Sequence, residues 1–264
     1  MSELLYPQKV PETIQLSCVS NSGIDVKEYM KHCNVLFLGC CRNVGTYLLT
    51  LLNHINDCGS KFNSYRLLIY ENDSNDNTRQ ILLDNVKENY IYIFEDKVKI
   101  YSRTKRLERG RNALLNKARK LNSQKDYQYF VVLDMDDVNS TGEFVNTIET
   151  CFLFHDWDVL CANQKKRYYD LWALRKKNDC EIDIWLTGHG EMDLVYEEGY
   201  LLEVDSAFGG IAIYRFSDIL NDCYYVGTQL IERGIMEKCE HVDFHRSIKT
   251  KGGKIYINTS FFNS

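Results

Sequence analysis

The sequence is poor in the features that mark several classes of protein. It has only 2 prolines, Pro7 and Pro11, so no later helix or strand is interrupted by proline. No apolar run approaches the roughly 20 residues that span a bilayer, and residues 1–15 lack the basic start and apolar centre of a secretory signal. With 32 basic and 37 acidic residues the net charge is −5, which argues against nucleic acid as the main partner. We therefore expect a cytoplasmic protein without a transmembrane segment.

The composition and the absence of linkers predict one globular domain. The chain has 264 residues, of which 44% are hydrophobic, enough for one large core. No Gly-, Ser- or Pro-rich spacer divides the sequence after its polar beginning. None of the 10 cysteines forms a CxxC pair, which favours reduced thiols. We predict a polar N-terminal lead-in over residues 1–32 and a single folded domain over residues 33–264.

Apolar runs alternate with helical patterns along the first half of the chain. Strands are predicted at 34–40, 65–70, 98–101 and 129–133, and helices at 46–56, 79–89 and 107–121. This alternation predicts an α/β fold with a mostly parallel, Rossmann-like sheet flanked by helices. After residue 150 the pattern is less regular, and further strands are expected between Tyr200 and Tyr214.

Polar residues follow three of these predicted strands. They form the clusters Arg42-Asn43, Glu71-Asn72-Asp73 and Asp134-Met135-Asp136-Asp137. Because ligands gather outside the carboxyl ends of parallel strands, we expect the three clusters to meet at one edge of the sheet.

The acidic cluster is the strongest chemical signal. Asp134, Asp136 and Asp137 come directly after a buried strand, and such oxygen ligands bind Mg²⁺ or Mn²⁺, which can bridge a diphosphate. The alternative is that Asp136 and Asp137 only form turns and cap the next segment. We predict that Asp134 and Asp136 hold a divalent metal ion.

The motifs and their order resemble those of GT-A glycosyltransferases, and most of all the fungal capsular α-1,3-mannosyltransferase and capsule-associated protein family. They are, in chain order, Cys41-Arg42-Asn43, Glu71 to Thr78, Arg109 to Asn112, Tyr169 to Arg175 and Ser206 to Ile211. The resemblance spans residues 34–245 and implies a single GT-A domain with a nucleotide-binding half over about 33–140 and an acceptor-side half over about 141–264. It also implies that a sugar passes from a UDP- or GDP-sugar to a hydroxyl of a glycan or other acceptor, with Mn²⁺ or Mg²⁺ on the diphosphate and with retention at the sugar carbon.

The resemblance assigns nucleotide-binding roles after the first two strands. Arg42 and Asn43 are expected to line the nucleotide pocket, and Glu71 and Asp73 to contact the base or ribose. A loop that only satisfies its own turns is the alternative, since Asn, Asp and Ser are ordinary turn residues.

Diphosphate contacts are expected from the next helix. Arg111 and Asn112 are predicted at the start of a helical pattern, where guanidinium groups and free amides can both meet phosphate oxygens, and Asp134 would complete the donor site. A solvated basic helix face is the alternative.

Three carboxylates are candidates for the base that an inverting reaction would need, namely Asp170, Asp205 and Glu240. Asp170 stands between Tyr169 and Trp172 in the sequence, and an acid beside aromatic rings suits a sugar. Aromatic residues of the core are the alternative.

A late histidine pair is a further candidate for the metal site. The alternation in residues 239–245 predicts a strand with His241, Asp243 and His245 on one face. GT-A enzymes often add a late His to the carboxylate pair, so the resemblance makes His241 or His245 a metal ligand. A buried, hydrogen-bonded histidine is the alternative, and zinc fits less well because no cysteine pair has finger spacing.

Two other functions remain open from the sequence. A haloacid dehalogenase-type phosphatase also has an Asp-x-Asp motif after an apolar strand, although that motif usually opens the domain. A non-catalytic protein that binds a nucleotide or sugar could have the same fold.

Overall fold

The computed structural model describes residues 25–124, 126–165, 168–177, 199–228 and 237–264. Its helices are α1 Val26–Met30, α2 Gly45–Gly59, α3 Thr78–Asp84, α4 Arg103–Leu121, α5 Glu143–Thr147 and α6 Glu240–Thr250. Its strands are β1 Asn34–Cys41, β2 Ser64–Asn72, β3 Tyr90–Glu95, β4 Tyr129–Asp134, β5 Val159–Asn163, β6 Arg175–Lys176, β7 Leu201–Ser206, β8 Ile211–Arg215 and β9 Ile255–Phe262. Short 3-10 turns lie at Asp137–Asn139, Ile148–Leu153 and Asp218–Leu220.

The strands form a 9-stranded sheet in the order β3-β2-β1-β4-β8-β5-β9-β7-β6. Strands β3, β2, β1 and β4 are parallel to one another, and β5 is parallel to β9. Strand β8 is antiparallel to both β4 and β5, and β7 is antiparallel to both β9 and β6. The predicted α/β fold with a mixed sheet and flanking helices is therefore confirmed, but among the described strands the four parallel pairs are matched by four antiparallel pairs, so the sheet is not mostly parallel.

The central strands are apolar throughout because both faces of the sheet are covered. Alternate residues of β1 enter opposite cores: Val35 and Phe37 belong to the core that contains the apolar face of α2, and Leu36 and Leu38 to the core that contains that of α4. Helix α4 lies very close to the sheet at Gly110, where a Cβ atom would be 2.6 Å from the ring of Tyr70. This close approach brings the neighbouring side chains of α4 to the end of β1.

The predicted strand at 98–101 is wrong. The third strand is β3, at Tyr90–Glu95, and the chain turns after it at Lys97, which has a φ of 59°. The backbone N–H groups of Lys97 and Val98 donate to the carboxylate of Asp73, at 2.6 and 2.9 Å. This segment therefore bonds to a side chain of the loop after β2 instead of to a neighbouring strand.

The predicted strand at 239–245 is also wrong, because helix α6 begins at Glu240. Seven residues alternate by chance, whereas the buried residues of the whole segment include His241, Phe244, His245 and Ile248, which follow the helical period. The helix still places His241 and His245 on one face, one turn apart.

The expected N-terminal lead-in lies mostly outside the described residues. Its last part, residues 25–32, contains α1, whose Met30 is 1% exposed and packs in the core. Within the part of the chain that the structure describes, no helix is long and apolar enough to cross a membrane.

Candidate active site

The three polar clusters lie at one edge of the sheet, as the strand order requires. In the parallel register of β1, Cys41 is opposite Glu71 of β2, and Cys40 is opposite Asp134 of β4. The carboxyl ends of the three strands therefore surround one point.

Two adjoining cavities open at this edge. The β1–β2 cavity has a volume of about 240 Å³ and is lined by Cys40, Cys41, Arg42, Val44, Tyr70, Asn72, Arg106 and Met135 together with the shared residues given below. The β4–α6 cavity has a volume of about 450 Å³ and is lined by Arg111, Asp137, Val138, Tyr169, Asp170, Trp172, Phe208, Cys239, Glu240 and His241 with the same shared residues. The shared residues, which we call the junction, are Arg103, Leu107, Asp134 and Asp136.

The loop after β1 is tied to the loop after β2. Asn43 has a φ of 55°, its N–H donates to Ser74 Oγ at 3.0 Å, and its Oδ1 accepts from the Asn75 N–H at 2.8 Å. Asn43 thus holds the two loops together and does not line either cavity, whereas Arg42 lines the β1–β2 cavity.

The expected base or ribose contacts of Glu71 and Asp73 are not supported. The Glu71 side chain is fully buried and accepts hydrogen bonds from the Ser74 N–H at 2.8 Å and from Arg79 Nε at 2.6 Å. Asp73 accepts the N–H groups of residues 97 and 98, which lower the pKa of its carboxyl group. Asn72, between them, is the residue of this cluster that lines the cavity.

The predicted start of helix α4 is wrong by one turn. The helix begins at Arg103 after the N-cap Ser102, whose Oγ accepts from the Lys105 N–H at 3.2 Å. The free N–H groups of its first turn, those of Arg103 and Thr104, donate to the carboxylate of Glu237 at 3.0 and 3.2 Å. Internal groups therefore occupy the expected anion-binding end of this helix.

Asn112 consequently lies in the helix interior and outside both cavities. Its amide is hydrogen-bonded to the backbone of Tyr225 in both directions, with Nδ2 donating at 2.8 Å and Oδ1 accepting at 2.9 Å. This side chain anchors a loop, so the structure gives no support to the predicted diphosphate contact of Asn112.

Arg111 is also committed to partners inside the protein. It is 4% exposed, and its Nη2 donates to Asp134 Oδ1 and its Nε to Glu240 Oε1, each at 2.9 Å. Its Cζ atom is 5.0 Å from the ring centroid of Phe208 and 5.7 Å from that of Tyr225. Burial acts to lower the pKa of Arg111, but Glu240 and Asp134 outweigh it and raise the pKa, so the guanidinium stays charged. Arg111 therefore positions two carboxylates and is not free to bind a phosphate.

Two carboxyl groups of the β4–α6 cavity have raised pKa values. Burial, assisted by the negative charge of Asp134, raises the pKa of Asp136 to about 6. Burial also raises the pKa of Asp170 to about 6, although its carboxylate accepts from the Gly209 N–H at 2.9 Å and the Ala173 N–H at 3.3 Å. Both groups are ionised at neutral pH at a cost in free energy.

The three base candidates differ sharply in their surroundings. Asp205 lies on β7, outside both cavities and 3.8 Å from Lys249 Nζ. Glu240 lines the β4–α6 cavity, but it is paired with Arg111. Asp170 lines the same cavity and has no cationic partner among the described residues, so the geometry favours Asp170.

The two histidines of α6 also differ in their surroundings. His245 is fully buried, hydrogen-bonded to Ser206 Oγ and Tyr214 Oη at 3.0 Å each, and outside both cavities, so the structure gives no support to its predicted metal ligation. His241 lines the β4–α6 cavity, is 1% exposed, and stacks on Phe208 with a centroid distance of 3.9 Å. Among the described residues neither ring nitrogen of His241 has a hydrogen-bond partner, although Nε2 lies 3.8 Å from Glu240 Oε1, and burial together with Arg111 holds its pKa well below the usual value.

The junction suits a metal ion only if other ligands are added. In the described residues no three His, Cys, Asp or Glu side chains come together in a way that would hold a metal ion alone. Asp134 and Asp136 nevertheless share the junction, and His241, whose ring nitrogens make no hydrogen bond to a described residue, lines the adjoining β4–α6 cavity. Such a partial set fits Mg²⁺ or Mn²⁺, which usually take further ligands from substrate phosphates and water.

The fold and this cleft define a glycosyltransferase domain of the GT-A type, with an Asp-x-Asp turn after a central parallel strand. Residues 39–216 match the family described as glycosyl transferase family 2, and the chain belongs to that family. Membership excludes the phosphatase alternative. The finer resemblance to the fungal capsular family stays a prediction.

Solved structures with a similar fold include three proteins in complex with a nucleotide or a nucleotide sugar. TarS of S. aureus in complex with UDP-GlcNAc is 15% identical, with 87% of this chain and 57% of that chain covered and a TM-score of 0.47. The mannosyltransferase PcManGT of Pyrobaculum calidifontis, in complex with GDP-Man and Mn²⁺, is 11% identical, with 84% and 54% covered and a TM-score of 0.45. Glucosyl-3-phosphoglycerate synthase of Mycobacterium tuberculosis, in complex with UDP, is 10% identical, with 72% and 59% covered and a TM-score of 0.41.

The chain thus spans less than two thirds of the length of those solved chains. No curated protein matches its sequence. The family match therefore identifies the chain, and its substrates have to be inferred from its own site.

Proposed function

We propose that this chain transfers a sugar from a UDP- or GDP-linked donor to a hydroxyl group of an acceptor. The observation that carries the proposal is the junction, where Asp134 and Asp136 lie between two cavities of different character. The β1–β2 cavity, with Arg42 and Asn72, suits a nucleoside and its phosphate. The β4–α6 cavity, with the rings of Tyr169 and Trp172 beside the acidic groups, suits a sugar and an acceptor.

Asp134 and Asp136 would hold a Mn²⁺ or Mg²⁺ ion, and His241 is the candidate for a third protein ligand. When bound, such an ion offsets the negative charge of the departing diphosphate. Arg111 Nη2 donates to Oδ1 of Asp134, which fixes the carboxylate. Its other oxygen, Oδ2, is left for the metal ion. Burial, and after it the neighbouring charge of Asp134, raises the pKa of Asp136, and a bound cation would offset both.

We infer that Asp170 is the base that accepts the proton of the acceptor hydroxyl. Two backbone N–H groups fix its carboxylate, and a pKa of about 6 leaves it ionised at neutral pH but more basic than an ordinary aspartate. A base at this place favours inversion at the sugar carbon, in contrast to the retention that the capsular resemblance implies. The acceptor and the expected cytoplasmic location stay predictions.

A donor screen tests this function. UDP- and GDP-linked sugars are incubated with the protein and Mn²⁺, with and without simple glycan acceptors, and the release of nucleoside diphosphate is measured. We expect release from one donor class and none from the Asp136→Asn variant. Donor binding without release for every acceptor would favour the non-catalytic alternative, and no binding of either class would contradict the proposal.

A further inference from the structure

The junction has two carboxylates and one cationic side chain. Asp134, Asp136 and Arg103 are the charged residues that line both cavities. In the proposed function the diphosphate connects a nucleoside in one cavity to a sugar in the other, so it must pass the junction. A doubly or triply charged diphosphate beside two carboxylates needs positive charge there from the protein as well as from a metal ion.

The other arginines that line the cavities are less suited to this role, and Arg42 is set apart by its position, since it lines only the β1–β2 cavity and not the junction. Arg111 is held by Asp134 and Glu240. Arg106 Nη1 donates to the carbonyl oxygens of Ile100 and Tyr101, at 2.7 and 2.9 Å. Both guanidinium groups are therefore oriented by the protein itself.

Arg103 differs from them in having an uncommitted guanidinium. Its side chain makes no hydrogen bond or ion pair with another described residue, and its Cζ lies 5.6 Å from the ring centroid of Trp172. Trp172 is itself fixed, because its Nε1–H donates to the Glu237 carbonyl oxygen at 3.1 Å. The Glu237 carboxylate also occupies the first backbone N–H groups of α4, so the Arg103 side chain is what this helix end offers to an anion.

We propose that Arg103 binds the diphosphate of the donor and stabilises the departing nucleoside diphosphate, with the Trp172 indole as its platform. As the bond from the sugar carbon to the diphosphate oxygen breaks, its electron pair stays on the diphosphate, and Arg103 donates hydrogen bonds to this added negative charge. The acceptor oxygen forms the new bond to the sugar carbon, and its proton passes to Asp170. This inference rests on the proposed function and adds the residue that receives the leaving group.

Calorimetry with matched ligands and variants tests the assignment. Wild type, Arg103→Gln and Arg103→Lys are titrated in Mn²⁺ with UDP or GDP, whichever wild type binds, and with the corresponding nucleoside. The control is Lys105→Gln, which removes the same charge from the same helix turn at a residue paired with Glu108 and outside both cavities.

We expect Arg103→Gln to lower the affinity for the nucleoside diphosphate at least about tenfold, as the loss of other charge-assisted hydrogen bonds does. The affinity for the nucleoside should fall less than about twofold. Arg103→Lys should recover part of the loss, because it keeps the charge but not the planar stacking group. Lys105→Gln should bind both ligands like wild type. Sugar transfer by Arg103→Gln should lose kcat as well as donor affinity.

Three results would overturn the assignment: wild-type diphosphate affinity in Arg103→Gln, an equal loss for nucleoside and diphosphate, or an equal loss in Lys105→Gln. A wild-type protein that binds no nucleoside diphosphate would instead contradict the proposed function itself. Melting temperatures identify a folding defect, and Arg103→Lys then serves as the deciding variant because it conserves size and charge.

Discussion

The surroundings of the two cavities differ in how far their polar side chains already have partners within the protein. Around the β1–β2 cavity the polar groups of the loops, such as Asn43, Glu71 and Asp73, are consumed by hydrogen bonds within the loops. Around the β4–α6 cavity, Asp136 and Asp170 have raised pKa values, and His241 has no hydrogen-bond partner among the described residues. Groups of this second kind lower stability unless a ligand joins them, which is common at catalytic centres. The comparison therefore supports the proposal that the donor nucleotide docks in the β1–β2 cavity and that the chemistry takes place in the β4–α6 cavity.

The largest effect is expected at Arg111, whose buried guanidinium holds two carboxylates of the β4–α6 cavity. Arg111→Met should lower the free energy of unfolding by about 3–5 kcal/mol, because it leaves two carboxylates facing each other without their buried cation. Urea denaturation measures this change. The control Arg109→Met removes an exposed guanidinium of the same helix, paired with Glu95, and should cost about 1 kcal/mol or less. Equal costs would remove Arg111 from its positioning role.

Asp136→Asn should reduce sugar transfer by about a thousandfold or more while it stabilises the fold, the combination expected of a functional carboxylate. Because the pKa of Asp136 in the folded protein is raised, ionising it costs folding free energy as pH rises from about 4 to about 6. The variant should therefore be more stable above pH 6, by about 1–2 kcal/mol after allowance for partial exposure, and unchanged near pH 4.

Thermal unfolding at the two pH values measures the stability change of Asp136→Asn, and a donor assay measures transfer. Asp137→Asn, at an exposed neighbour in the same turn, serves as the matched control and should change transfer less than about fivefold. Wild-type transfer by Asp136→Asn across Mn²⁺ concentrations would reassign the acidic cluster to turn formation.

Asp170→Asn should lower kcat by about a hundredfold and leave donor affinity nearly unchanged, since a base acts on the acceptor. In wild type, kcat/KM should rise with pH and level off above about 6, because the base works only when it is ionised. Steady-state rates between pH 5 and 8 provide the check. An unchanged kcat in the variant would return the mechanism to retention without a protein base.

The smallest effect on function is expected at Glu71, in the loop beside the β1–β2 cavity. Glu71→Gln weakens a buried ion pair with Arg79, which should cost about 1–2 kcal/mol of stability, but nucleotide affinity should change less than about threefold. Denaturation and nucleotide titration give the two quantities. A tenfold loss of affinity in a stable variant would restore Glu71 as a base or ribose contact and break the contrast between the cavities.

The sequence predicted those parts of the structure that depend on local pattern. Strands β1, β2 and β4 are apolar on both faces and were found within two residues of their observed ends, and parallel pairing then brings their polar ends together. Helix α4 was predicted to start late because Arg103 to Arg106 carry no apolar signal, although Ser102 as an N-cap marks the true start.

The failures concern partners that are distant in the sequence. The local sequence pattern does not indicate that Arg111 forms an ion pair with Glu240, or that the Glu237 carboxylate accepts hydrogen bonds from the first N–H groups of α4. The sequence therefore identifies which polar residues reach the sheet edge, but only folding decides which of them stay available. This is why Arg111 was predicted as a phosphate ligand and Arg103 was not.

The central claim is that a metal ion at Asp134 and Asp136 joins a nucleoside diphosphate to the junction. Calorimetric titration of the wild-type protein with UDP and with GDP, each in excess Mn²⁺ and in excess EDTA, tests it most directly. The account predicts binding of at least one nucleotide in Mn²⁺ that is more than about tenfold weaker in EDTA. Equal affinity for both nucleotides in Mn²⁺ and in EDTA would contradict it.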